Sequence, residues 1–190
     1  MKIIKPSLRA AAAAAALLKK GSVVICPTDT VYGFLADATN ERAVDAIYKI
    51  KKRPRKKPLS LFVRNIAMAE EMAIINKQQR KMLKKFWPGE YTFILKRKPG
   101  IVLYGLDERT VAIRIPRYPF LSNLLKKIDR PLVQTSSNVS GQPPLQNIKD
   151  IIKIFSKETS IKAIIDGGDM KKGVPSKIIN ITSKLQKKIR

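Results

Sequence analysis

Seven short apolar runs, separated for the most part by helical patterns, limit the fold of this 190-residue chain more than any other feature. Each run has the length of a strand, and most of the segments between them repeat apolar residues at helical spacing. Strands that alternate with helices are typical of an α/β domain with a mixed sheet. The sequence therefore predicts a single α/β domain over residues 1–190. The predicted strands are 22–27, 59–63, 91–95, 110–115, 132–135, 163–166 and 178–181.

Capping residues and spacing also predict the helices. Ser7 can cap an alanine-rich first helix that ends at Gly21, and Asn40 can cap a second helix that ends before Pro54. The apolar stretch 10–18 is too short to span a bilayer, and no membrane partner is expected. Further helices are predicted over 66–75, 77–86, 119–128 and 148–155.

The charge balance indicates what kind of partner the chain attracts. Lysine and arginine number 39 and aspartate and glutamate 14, which gives a formal charge of +25. Such a field attracts polyanions such as RNA and nucleotides. There is no histidine and one cysteine, Cys26, which excludes zinc sites and Ser-His or Cys-His catalysis. A lone cysteine fits a reducing compartment, and we expect a cytoplasmic protein.

Two polar segments follow predicted elements, and neither is a P-loop or a G-x-G-x-x-G motif. In "PTDTVYG", residues 27–33, the hydroxyls of Thr28 and Thr30 can bind a small polar ligand, with Tyr32 as a wall; the alternative is a plain turn. In "KIKKRPRKKP", residues 49–58, Lys51 and Arg53 stand near a helix C-terminus. These cations can converge on a triphosphate, or they belong to a solvated face or an RNA contact.

Two further segments carry polar groups into predicted strands or follow them. Arg114 lies between Ile113 and Ile115, so alternation places it on the opposite sheet face, either toward solvent or pairing a carboxylate. The segment "QTSSNVSGQPP", residues 134–144, offers hydroxyls and backbone amides that can cradle phosphate or ribose oxygens. The alternative for this segment is a plain loop.

The order and spacing of these segments resemble the YrdC-like (TsaC/Sua-type) threonylcarbamoyl-AMP synthase family, in its short single-domain form. The resemblance runs from about residue 20 to the end of the chain, and six collinear motifs carry it. The motifs are "PTDTVYG" at 27–33, "KKRP" at 51–54 with "PL" at 58–59, "WPGEYT" at 87–92, "TVAIRIP" at 110–116, "SSN" at 136–138 with "SG" at 140–141, and "DGG" at 166–168 with "GVPS" at 173–176.

The resemblance implies a nucleotidyltransferase. Members of the family join L-threonine, bicarbonate and ATP into threonylcarbamoyl-AMP and release pyrophosphate, and a separate transferase complex uses the product for t6A at position 37 of tRNA. The implied fold is a twisted mixed parallel and antiparallel sheet with flanking helices and a basic concave site. The implied cofactor is Mg²⁺, held through the ATP phosphates and not by protein ligands. The basic surface implies contact with tRNA or other RNA.

Motif positions also imply roles for individual residues. Lys51 and Arg53 would be the catalytic pair that holds the phosphates. The threonine substrate would contact Thr30, Arg114 and Ser176. ATP would contact Lys51, Arg53, Lys57, Thr110, Ser136, Asn138 and Arg190.

Two departures and two alternatives stand beside this interpretation. The chain has "GVPSK" where the family usually has "GVxST", and Phe62 where relatives often carry a polar residue. One alternative is a YrdC-like module that binds double-stranded RNA or tRNA without catalysis. The other is a paralogue that acts on a related adenylate, which "PGEYTFILK" at 88–96 also resembles.

Overall fold

The computed structural model describes residues 1–170, 173–183 and 187–189. Its helices are α1 (Leu8–Lys19), α2 (Glu41–Lys51), α3 (Ile66–Met72), α4 (Lys77–Phe86), α5 (Pro119–Ile128) and α6 (Ile148–Phe155). Its strands are β1 (Lys2–Ile4), β2 (Val23–Cys26), β3 (Gly33–Asp37), β4 (Ser60–Phe62), β5 (Ala73–Ile74), β6 (Tyr91–Arg97), β7 (Thr110–Arg114), β8 (Leu132–Ser136), β9 (Ile161–Ile165), β10 (Lys177–Asn180) and β11 (Lys187–Lys188). None of the helices in the described ranges is long and apolar enough to cross a membrane.

The strands form one mixed sheet, as the sequence predicts. Their order is β1-β9-β2-β3-β8-β4-β7-β6-β10-β11, and β5 pairs with β6 outside this path. The pairs β1–β9, β2–β9, β4–β7 and β6–β10 are parallel. The pairs β2–β3, β3–β8, β4–β8, β6–β7, β5–β6 and β10–β11 are antiparallel.

Side-chain caps start the helices at the predicted places. The side chains of Ser7 and Asn40 accept hydrogen bonds from the third backbone N–H of α1 and α2, each at 3.0 Å. Helices α4, α5 and α6 have the predicted bounds. The helix predicted over 66–75 is too long: it ends at Met72, because Ala73 and Ile74 pair with β6 as β5.

Four strands were not predicted: β1, β3, β5 and β11. Three of them have only two or three residues, which is too short for a period to show. Strand β3 was missed for another reason. The run 33–37 follows the polar segment 27–32 directly and is buried on both faces, so it shows no alternation. The segment 27–32 is therefore the connection of an antiparallel hairpin between β2 and β3.

Helices pack on both faces of the sheet, but they cover one face only in part. One face packs against α2, α3, α4 and α6, and the other packs against α1 and α5. Along β4, Phe62 joins the cluster under α1 and α5, whereas Ser60, on the same face, lines an open cavity. Along β8, Leu132 joins that cluster, whereas Gln134 and Ser136 line the cavity. The site is therefore the part of this face that α1 and α5 leave open.

Two glycines with nearly the same positive φ give a matched stability test. Gly105 has φ +73°, and an added Cβ would lie 2.8 Å from Val44 Cγ1 and 3.2 Å from Leu59 Cδ1. Gly100 has φ +77° and open space around that position. We expect Gly100→Ala to cost about 1 kcal/mol from backbone strain alone. Gly105→Ala should cost about 1–3 kcal/mol more, because the methyl group overpacks the core.

The measurement is the free energy of unfolding in urea for both variants and the wild type. Equal losses for the two alanine variants would contradict the packing of the 98–109 connection against α2 and the start of β4.

Candidate functional site

A cavity of about 350 Å³ lies over the uncovered part of the sheet. Alternate side chains of adjacent strands form its floor: Gln134 pairs in register with Ser60, Ser60 with Ala112, and Ala112 with Ile94. All four are small, polar or half-exposed, so the floor is open to a ligand instead of being filled by core side chains. The volume is in the range of small-molecule sites.

Most of the predicted site residues line this one cavity. Those that do are Thr30, Lys51, Arg53, Thr110, Arg114, Ser136, Asn138 and Ser176. Lys57 is not among the lining residues; its side chain is exposed, and its carbonyl accepts a 3.0 Å hydrogen bond from Arg53 Nε. Tyr32 is fully buried and does not form a cavity wall, contrary to the prediction. Arg190 lies outside the described residues.

Lys51, the last residue of α2, reaches the loop that follows β8. Its ammonium donates to the carbonyl of Ser136 at 2.6 Å, to the carbonyl of Asn138 at 3.0 Å and to Asn138 Oδ1 at 2.7 Å. An ammonium has three N–H donors, so these three oxygens can satisfy all of them. The side chain of Lys51 therefore fixes the backbone of the 136–138 segment while it places a positive charge beside the cavity.

Burial makes that charge easy to lose. Burial of the ammonium, with a smaller contribution from the positive charge of Arg53, lowers the pKa of Lys51 to about 7. None of its hydrogen-bond partners in the described chain is a carboxylate. A bound anion would supply the missing countercharge and would raise this pKa.

Arg53 is half-buried beside Lys51 and is held by backbone carbonyls alone. Nε donates to Lys57 O at 3.0 Å and a terminal nitrogen donates to Pro58 O at 2.8 Å. The short loop after α2 therefore folds around the guanidinium. The remaining donors of Arg53 have no carboxylate partner within the described ranges. Lys51 and Arg53 thus form a cationic wall in which neither cation has a carboxylate partner among the described residues, which suits a polyphosphate.

Arg114 is 1% exposed and is held on three sides. Nε donates to Gly89 O at 2.9 Å, one terminal nitrogen donates to Thr30 Oγ1 at 3.1 Å, and the other forms an ion pair with Asp29. Its guanidinium carbon lies 5.5 Å from the centroid of the Phe62 ring. Of the two environments that the sequence left open, the structure shows the carboxylate pair. A guanidinium has five N–H donors, so two remain without a partner in the described structure.

The "PTDTVYG" segment is a turn that is stabilised by hydrogen bonds within the segment and to residues 167–168. Thr28 Oγ1 accepts from the backbone N–H groups of Thr30 and Val31 at 3.0 and 3.2 Å and donates to Val31 O at 2.8 Å. The Tyr32 hydroxyl donates to Gly168 O at 2.7 Å and accepts from Gly167 N at 3.0 Å. Burial raises the pKa of Tyr32 to about 12, so this hydroxyl stays protonated and keeps both bonds.

Other predicted residues are held by short polar contacts at the cavity edge. Ser176 Oγ accepts from Thr92 Oγ1 at 3.0 Å, where the segment before β10 meets β6. Thr110 donates to Asp107 through both its backbone N–H, at 2.8 Å, and its hydroxyl, at 3.0 Å. Hydrogen bonds from Arg109 N and Thr110 hold the pKa of the Asp107 carboxyl below its usual value.

Sequence reasoning missed four polar residues of the site: Asp29, Ser60, Asp107 and Gln134. Ser60, Asp107 and Gln134 line the cavity, and Asp29 lies behind Arg114. Only Ser60 and Gln134 left a usable signal, because each is a polar residue at an alternate position of a predicted strand. Nothing in the sequence brings Asp29 next to Arg114, which is 85 residues away.

The comparison with known families agrees with this architecture. The Sua5/YciO/YrdC family model, described as "Telomere recombination", matches residues 16–190. The chain belongs to this family.

Individual curated relatives are also similar to this chain over most of its length. A threonylcarbamoyl-AMP synthase of Pyrococcus abyssi is 35% identical over 173 residues, which is 89% of this chain and 50% of the relative. A threonylcarbamoyl-AMP synthase of Bacillus subtilis is 37% identical over 174 residues, 89% of this chain and 49% of the relative. A Methanocaldococcus jannaschii relative is 41% identical over 161 residues, 85% of this chain and 75% of its own length. This chain therefore spans about half the length of the first two relatives.

Solved structures share the fold. The crystal structure of P. abyssi Sua5 complexed with L-threonine matches with a TM-score of 0.92 and 30% identity, over 100% of this chain and 57% of that protein. The crystal structure of Escherichia coli YciO matches with a TM-score of 0.87 and 24% identity, over 100% of this chain and 93% of that protein. The latter likeness shows the fold alone.

The lowered pKa of Lys51 predicts that anion binding takes up a proton. In the free protein the pKa of Lys51 is about 7, and a bound anion raises it. The affinity for pyrophosphate should therefore fall as the pH rises above about 7. Calorimetry at pH 8, in buffers with different ionisation enthalpies, measures the protons taken up per pyrophosphate. Lys51→Met should take up fewer protons than the wild type. Lys49→Met, which changes an exposed lysine of the same helix, is the control and should match the wild type. Equal proton uptake in all three proteins would contradict the assignment of the proton to Lys51.

Proposed function

We propose that this chain is an L-threonylcarbamoyladenylate synthase, a nucleotidyltransferase that forms threonylcarbamoyl-AMP and pyrophosphate from L-threonine, bicarbonate and ATP. The observation that carries the proposal is the cavity itself. Within the described part of the chain, it presents a buried arginine with two unused donors and, across the floor, two cations without a carboxylate partner. The synthase names of two relatives and the L-threonine complex of P. abyssi Sua5 support the same substrates.

The geometry suits the binding of two ligands side by side. Arg114 is on β7, and Lys51 contacts the end of β8, with β4 between the two strands. Two strand spacings are about 10 Å, and the register also places Ser136 four residues beyond the level of Arg114, about 13 Å along the strand. We propose that Arg114, with Thr30 and Ser176, binds the amino acid. Lys51, Arg53, Thr110, Ser136 and Asn138 would bind ATP.

The proposed chemistry needs positioning and charge more than a nucleophilic side chain. Bicarbonate loses hydroxide to give CO₂, the threonine amine adds to the CO₂ carbon, and the proton that the amine loses combines with the hydroxide as water, which leaves a carbamate. A carbamate oxygen then attacks the α-phosphorus of ATP, and the bond to the bridging oxygen breaks, with its electron pair leaving on pyrophosphate. Arg114 would hold the threonine carboxylate so that the carbamate faces the phosphate. Lys51 and Arg53 would neutralise the charge that develops on the phosphates.

Magnesium fits this site as a companion of ATP. Among the described residues, no group of three or more acidic, histidine or cysteine side chains could hold a metal ion, and Asp107 is the only carboxylate that lines the cavity. We therefore propose that Mg²⁺ is held by phosphate oxygens, where it would neutralise charge.

We also propose partners outside the cavity. The product would pass to a downstream transferase complex that makes t6A at position 37 of tRNA. The net charge of +25 supports contact with tRNA or other RNA. Since ATP and tRNA are cytoplasmic, we propose a cytoplasmic location.

A pyrophosphate-release assay tests the proposed function directly. With ATP, Mg²⁺ and bicarbonate, we expect release only when L-threonine is present, and far less with L-serine. Release that does not depend on threonine or bicarbonate would contradict the synthase. ATP binding without release would favour a paralogue that acts on another adenylate, and RNA binding without ATP binding would favour the RNA-binding module.

Two arginines of one loop separate a phosphate contact from general surface charge. Arg53 lines the cavity, whereas Arg55 is exposed and pairs with Asp45. We expect Arg53→Gln to lower kcat/KM for ATP by about 100-fold or more, the usual scale for removing a preorganised charge from a reaction site. Arg55→Gln should stay within about threefold, the scale of a surface ion pair. Steady-state kinetics measure both, and equal effects would contradict the phosphate role of Arg53.

A further inference from the structure

Asp29 is the acidic partner of the buried arginine, yet it does not face the ligand space. Its side chain is 12% exposed, and it is not among the residues that line the cavity. One carboxylate oxygen pairs with Arg114, and the other accepts a 2.9 Å hydrogen bond from the backbone N–H of Arg117. Both oxygens are therefore committed to the protein. Asp29 ties the β2–β3 connection to β7 and to the segment that follows β7.

The three cations of the described residues that line the cavity differ in whether a carboxylate neutralises them. Arg114 has a carboxylate partner, whereas no carboxylate in the described ranges contacts Lys51 or Arg53. The pair of Arg114 and Asp29 carries no net charge, while the Lys51–Arg53 wall stays positive. A multivalent phosphate is therefore drawn to that wall. Arg114 keeps two N–H donors without a partner among the described residues, which is the number that two hydrogen bonds to one carboxylate need.

We propose that Asp29 is a positioning and specificity residue: through its pair with Arg114, it reserves this guanidinium for the carboxylate of the amino-acid substrate and keeps phosphate groups away from it. The inference rests on the proposed function, because it assigns Arg114 to the amino acid. Without the Asp29 charge, Arg114 is an unpaired cation in a basic cavity, and such a guanidinium binds phosphate at least as readily as carboxylate. The amino acid and the phosphates would then compete for one group.

Equilibrium binding of L-threonine, with and without saturating pyrophosphate, tests this role without any turnover. In the wild type, we expect pyrophosphate to change the Kd for threonine by less than about threefold, because the two anions bind apart. In Asp29→Asn, the Kd for threonine should rise about tenfold or more, the scale of one charge-assisted hydrogen bond. Pyrophosphate should then compete with threonine.

Two further variants separate this role from a structural one. Asp29→Glu keeps the charge but displaces it by one methylene group, so threonine should bind more weakly while pyrophosphate still does not compete. Asp37→Asn is the matched control, because Asp37 is a fully buried carboxylate that pairs with Arg130 at 2.7 Å, away from the cavity. Asp37→Asn should lower the melting temperature but leave the Kd for threonine at the wild-type value. If Asp29→Asn does not fold, Asp29→Ser, which also removes the charge, takes its place, and competition between pyrophosphate and threonine is again the deciding result.

The outcomes that overturn the proposal are distinct from those that overturn the function. Weaker threonine binding in Asp29→Asn without competition by pyrophosphate would overturn it, since a merely structural carboxylate gives that result. Unchanged threonine binding would overturn it as well. Competition by pyrophosphate in the wild type would show that Arg114 is not reserved. A wild type that binds no threonine would overturn the proposed function itself.

Discussion

The burial of one guanidinium organises the centre of this molecule. Arg114 lies inside the sheet with 1% of its surface exposed, and a charge so placed is stable only when it is paired and hydrogen-bonded. Its partners come from two separate connections: Asp29 and Thr30 lie between β2 and β3, and Gly89 lies between α4 and β6. The need to satisfy one side chain therefore fixes two loops around a strand, and one of them, the β2–β3 connection, lines the cavity with Thr30 and Val31.

The cavity follows from incomplete cover of a sheet face. Helices α1 and α5 bury the face of β2, β3 and β9, but along β4 and β8 their cover ends after Phe62 and Leu132. Farther along the same face, Ser60 and Gln134 are polar, Ala112 is small and Ile94 is half-exposed, so little apolar surface is left for a further helix to cover. The same alternation that builds a core under the helices therefore builds a partly polar floor beyond them.

A second buried cation fixes the opposite wall. Lys51 ends α2, and its ammonium holds three oxygens of the 136–138 segment, so the helix and the loop after β8 are joined at the site. The charges of the two buried cations are compensated differently: among the described residues, Arg114 has a carboxylate partner, whereas the hydrogen-bond partners of Lys51 are all neutral oxygens. An anion is therefore stabilised more strongly beside Lys51 than beside Arg114. The cavity thus has a neutralised end and a positive end, which suits an amino acid and a polyphosphate.

The sequence alone determined the fold class, because periodicity, caps and apolar runs are local properties. It determined helix starts at Ser7 and Asn40, and the motif order indicated the family and eight residues that the fold brings into one cavity. Only the tertiary structure decided the rest. Strand β3 was hidden because both of its faces are buried, and the pairing of Asp29 with Arg114 joins residues 85 positions apart. Local patterns carry no information about such contacts, since sheet pairing and burial depend on the whole chain.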